Sequence, residues 1–88
     1  MQREEVYKAI DTEREYQIKM TANPERPDMI EDFHVGDALT AIQYNLNKAV
    51  DEWYKGSVPH QDTIKYLRKI AALCVLCGES HGMPKRPL

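Results

Sequence analysis

Seven apolar residues recur at helical spacing between positions 35 and 53: Val35, Leu39, Ile42, Leu46, Ala49, Val50 and Trp53. A stripe with this period over nearly five turns fits an amphipathic helix and no strand. Two further stretches share the period. Val6, Ala9, Ile10, Glu13, Tyr16, Gln17 and Met20 make one face, and Ile64, Leu67, Ala71, Cys74 and Gly78 make another. The joints between them are punctuated. Thr21 through Asp28 holds two prolines and an Asn-Pro step, while Gly56-Ser57 and Val58-Pro59-His60 form the second break. Such residues stop helices and turn the chain. The sequence therefore predicts an all-α, self-associating domain over residues 1–88, with helices at about 2–20, 33–55 and 61–79 and a basic tail at 82–88. The short second joint makes helices two and three an antiparallel hairpin. The longer first link lets helix one cross them.

Self-association is expected from size and from helix three. An 88-residue chain buries only about 60% of its unfolded surface. Ile70, Leu73, Val75 and Cys77 make the second half of helix three apolar almost all round, more than two neighbouring helices can cover. Ala71, Ala72 and Gly78 would let helices approach closely.

Charge excludes several roles. Twelve basic and 14 acidic residues give a net charge of -2, with no cationic stripe for duplex DNA. Lys65, Arg68, Lys69, Lys85 and Arg86 cluster in the last third, but they read as a wet helix face. The longest apolar run, Ile70–Cys77, is eight residues, against about 20 for a membrane span. Met1-Gln2-Arg3-Glu4-Glu5 is no hydrophobic export segment, so the cytosol is expected. Cys74 and Cys77 sit in a greasy helical setting and read as reduced thiols. With His81 they are too few for a structural zinc site. There is no glycine-rich phosphate loop, and Ser57 and Ser80 lack a base and an orienting acid.

The functional signal is polar groups on greasy faces. Glu13 stands where an apolar residue belongs, and a charge on a core face needs a partner. Arg68, on helix three beside Ile64, Ala71 and Ala72, is the best candidate, since a guanidinium suits a partly buried pair. Two roles follow. The pair is a structural salt bridge that sets helix register, or it holds a polar ligand together with Tyr16 and Gln17. Asn45 and Glu52 share a strip with Ala38 and Ala49 that can outline a groove, and Lys69 adds a cation beside Arg68. An anionic ligand must approach Arg68 or Lys69, because carboxylates repel it. The expected ligand-binding set is Glu13, Tyr16, Gln17, Asn45, Glu52, Arg68 and Lys69, with no catalytic residue, metal or cofactor. The alternative is an enzyme in which Glu13, Asp37 and Glu52 hold Mg²⁺ for attack on a nucleotide phosphate. Trp53 and Tyr54 are expected to cap the core at the end of helix two.

Two segments carry a resemblance. Val6-Tyr7-Lys8-Ala9-Ile10 with Glu13-Arg14-Glu15-Tyr16-Gln17, and Leu67-Arg68-Lys69-Ile70-Ala71-Ala72-Leu73 with Glu79, His81-Gly82 and Pro84, resemble a group of small helical proteins of tailed bacteriophages. Some of that group look like distant relatives of the MazG-like nucleotide pyrophosphohydrolases. Those are dimers or tetramers that bind Mg²⁺ through Glu-rich pairs on facing helices and cleave nucleoside triphosphates. This chain has no Glu-x-x-Glu, and the middle of helix three offers Arg68-Lys69 instead of carboxylates. The resemblance implies a non-catalytic phage accessory protein in the cytoplasm of an infected bacterium. Its implied partners are itself and a nucleotide-like ligand or a host protein, with a helical inhibitor of a host enzyme as a further alternative.

Overall fold

The computed structural model describes residues 1–21, 33–56 and 58–87. Three helices account for most of it: α1 (Arg3–Thr21), α2 (Val35–Tyr54) and α3 (Gln61–His81). The expected bounds lie within two residues of these.

Local chemistry sets the ends. Glu4 and Glu5 lie in the first turn of α1 and Lys19 in its last, each favoured by the helix dipole. At the start of α2 the Asp37 carboxylate accepts a hydrogen bond from the His34 N–H at 3.0 Å, which satisfies a donor the helix leaves unpaired. Gly56 then takes a left-handed φ of 71° and ends α2. His60 enters α3 with φ 68°, an uncommon conformation for a residue with a Cβ. Its ring stacks at 4.8 Å on Trp53. At the far end of the hairpin His81 Nε2 lies 2.6 Å from the Phe33 carbonyl. A carbonyl only accepts, so Nε2 carries the proton.

Among the described residues α3 is the shared partner: α2 and α1 each pack on it and not on one another. The expected antiparallel hairpin of α2 and α3 is the observed architecture, and the N-terminal helix packs on α3 alone. No described helix is long and apolar enough to cross a membrane.

The inward face of α2 differs from expectation. Ala38, Ile42, Asn45, Ala49 and Glu52 are buried or half-buried and alternate at four-three spacing. Thr63, Tyr66, Ile70, Leu73 and Cys77 make the matching half-buried line on α3. These are coiled-coil seams, and the small residues on α2 let the axes come close. The larger stripe of Val35, Leu39, Leu46, Val50 and Trp53, expected to face the core, is instead exposed to between 41% and 63%. Nor do Trp53 and Tyr54 cap a core, since Tyr54 is 83% exposed.

The described interior is correspondingly slight. Its buried residues are Ala38, Ala49, Ala72 and Glu13, with no large side chain fully enclosed. The radius of gyration is 14.4 Å, where a close-packed chain of this length would give about 12 Å.

Candidate functional site

Glu13 and Arg14 are neighbours on α1, yet their partners on α3 are eleven residues apart, at 68 and 79. That is about 16 Å along a helix. One arginine from each helix spans the gap. Arg68 Nε donates to Glu13 Oε1 at 2.9 Å. Arg14 donates through Nε and a terminal nitrogen to the two oxygens of Glu79, both at 3.0 Å. Arg68, Ala72 and Glu79 lie on one face of α3 at four- and seven-residue steps. Ala72, with no exposed surface, is the small residue between the two pairs. Ion pairs thus clasp α1 onto the least bulky stretch of α3.

Glu13 is 6% exposed. An uncompensated carboxylate there would cost several kcal/mol, and the Arg68 guanidinium removes that cost while staying 41% exposed itself. The expectation that Glu13 faces inward and meets Arg68 is met in both parts.

Beside the pair opens a recess of about 320 Å³ lined by Thr12, Glu13, Tyr16, Arg68 and Lys69. That volume is at the small end of the range for small-molecule sites. Its cations come from α3 and its ring and hydroxyl from α1. Thr12 Oγ1 donates to the Ala9 carbonyl at 2.6 Å, so its hydroxyl can serve a ligand only as an acceptor. The terminal nitrogens of Arg68 and the Lys69 ammonium make no ion pair among the described residues. The site can therefore offer two cations, an exposed phenol ring and one fixed carboxylate.

Four of the seven expected ligand-binding residues meet here: Glu13, Tyr16, Arg68 and Lys69. Gln17 is half-buried one position further along α1 and does not line the recess. Asn45 and Glu52 lie in the α2 seam against α3, away from α1. Asn45 donates to the Ala41 carbonyl at 2.8 Å, and Glu52 pairs with Lys55 at 2.9 Å. The hydrogen bond and charge of Glu52 hold the exposed Lys55 ammonium above its ordinary pKa. Thr12 was not foreseen, because a threonine on a polar helix face carries no signal. The Arg14–Glu79 pair was missed for the same reason.

The three carboxylates of the metal alternative do not converge within one chain. Asp37 caps the start of α2 and Glu52 lies near its end, fifteen residues on, about 22 Å away. Glu13 is engaged by Arg68. Comparison with known protein families, with curated proteins and with solved structures finds no match to this chain.

Proposed function

We propose that the chain is a non-catalytic, self-associating binding protein whose α1–α3 recess takes a small anionic ligand carrying a planar ring, the chemistry of a nucleotide. The observation that carries this reading is the division of labour within Arg68. Its Nε is committed to buried Glu13, which fixes the guanidinium plane, while its terminal edge and Lys69 remain on the recess wall. A guanidinium held in this way is pre-organised for a phosphate or carboxylate. Tyr16 supplies the surface on which a base can stack. Glu13 is spent on positioning, so the site has no carboxylate placed as a general base. On the resemblance to small phage proteins, such a binder would act in the infected host cytoplasm and sequester or sense its ligand there.

Calorimetric titration with AMP, ATP and inorganic phosphate in EDTA tests the reading. Saturable nucleotide binding is expected, tighter than phosphate alone, weakened at least about tenfold by Lys69→Ala and again by Tyr16→Ala, each change corresponding to about 1.4 kcal/mol. Absence of nucleotide binding, or binding indifferent to both substitutions, would defeat it. Release of pyrophosphate from ATP on adding Mg²⁺ would replace it with the enzyme alternative.

A further inference from the structure

Helix α3 carries three seams, and the structure closes two of them. Thr63, Tyr66, Ile70, Leu73 and Cys77 face α2, and Arg68, Ala72 and Glu79 meet α1. The third, Ile64, Leu67, Ala71, Cys74 and Gly78, again runs at three-four spacing. Ile64 and Leu67 are about half exposed. Ala71, Cys74 and Gly78 are half-buried, the last where Gly82 turns the chain with φ 86° and Met83 comes back over Gly78.

This open seam adjoins the unburied stripe of α2. At about 100° per residue, the stripe lies roughly 85° round α2 from the seam that meets α3, and the open seam roughly 100° round α3 from the seam that meets α2. In an antiparallel pair, rotations of the same sense bring both to one side of the hairpin. By the same reckoning Arg68, Ala72 and Glu79 lie roughly 160° round α3 from the seam that meets α2, so α1 runs along the far edge of the hairpin and not over this face. The result is a single apolar face as long as the hairpin, built from Val35, Leu39, Leu46, Val50 and Trp53 beside Ile64 and Leu67.

We propose that a second copy of this chain covers that face, the two hairpins packing face to face about a two-fold axis. The inference rests on the self-association part of the reading above and is independent of the ligand. Three observations favour a copy over a foreign partner. First, the described interior holds alanines and one glutamate but no enclosed large side chain, so the cover completes the core and must be present whenever the chain folds. Second, the areas agree. The chain exposes 7276 Å², where a compact monomer of 10.2 kDa would expose about 5,300 Å². The excess, about 2,000 Å² spread over the whole chain and not confined to this face, is enough surface for one partner's share of an obligate dimer. Third, the face is neutral. Both seams lack charge, and the α2 positions bordering the stripe on its outer side are Gly36, Thr40, Gln43, Asn47 and Tyr54. Such a surface meets its own copy with no like-charge opposition.

Sedimentation of the full chain should give a mass of two copies or an even multiple, with Leu46→Glu and Leu39→Glu each driving it toward monomer. Because the face completes the core, these variants can also unfold. A second measurement removes that ambiguity. Single cysteines at 39, 46, 50 and 53, placed one at a time with Cys74→Ser and Cys77→Ser, should form symmetric disulfides at one or more of these positions under mild oxidation. Lys8→Cys in the same background should form none. A helical monomer at about 100 µM would overturn both the face and self-association. A dimer that survives both glutamate substitutions and crosslinks at none of the four positions would overturn the face alone. Neither result bears on nucleotide titration of the recess, which is scored separately.

Discussion

The two junctions on α3 are held by different physics. The α2 junction is a largely apolar seam in which small residues of one helix meet larger ones of the other, with Glu52 at its end paired to Lys55. The α1 junction is two ion pairs around a single buried alanine. Packing fixes how close two helices come and tolerates salt. Paired charges fix register and direction, and they weaken as salt rises. The second kind of contact leaves polar groups and unfilled space beside it, and the recess lies there.

The comparison is broken most forcefully at Arg68. Arg68→Met strands a buried carboxylate and should lower stability by about 3 kcal/mol, at the low end for buried pairs because the guanidinium is partly solvated. Thermal unfolding should show a fall in Tm of roughly 10–20 °C. Adding Glu13→Leu should restore most of it, since an apolar pair of similar volume replaces a paired charge at little cost. A double variant as unstable as the single one would mean that Glu13 is not buried against α3.

Overpacking the neutral seam comes next. Ala49→Leu should destabilise by about 1–3 kcal/mol, read as a shifted denaturation midpoint, and by the same amount in dilute buffer and in 1 M NaCl. Salt then sharpens the contrast. Moving the wild-type chain from about 0.05 to 1 M NaCl should lower Tm by a few degrees, in line with modest, screened pairs, and less so in Glu13→Leu/Arg68→Met.

The smallest effect belongs to Lys55. Its ammonium is raised in pKa by Glu52, so whatever this pair adds is present below the ordinary value of 10.5 and is lost as pH rises through the elevated one. Lys55 is exposed while the Glu52 side chain is mostly buried, and Lys55→Ala should lower Tm at pH 7 only slightly. A clear fall would show that the end of α2 is covered in solution.

How far the sequence was readable varies along the chain in a physical pattern. Helix bounds were legible because Gly56, Pro59 and the proline-rich link act locally. The Glu13–Arg68 pair was legible because a charge in an apolar line must be answered. Which side of α2 turns inward was not. Two seams lie side by side on that helix, and reading by hydrophobic size selects Val35, Leu39, Leu46 and Trp53. Of the expected stripe only Ile42 and Ala49 turn inward, and the observed contact adds Ala38, where close approach outweighs side-chain bulk. Asn45 and Glu52 were drawn into the site because they share that small-residue strip, and nothing local says that the strip meets α3 instead of α1. The expected course of residues 22–32 lies outside the described residues.

The bond from His81 to the Phe33 carbonyl has a mechanical consequence. The hairpin is joined covalently at one end by the short turn after Tyr54, and this ring nitrogen fastens the other. A ladder tied at both its top and bottom rungs cannot shear. Slippage of α2 along α3 by a single turn, about 5.4 Å, would have to break that fastening, so the rails stay aligned.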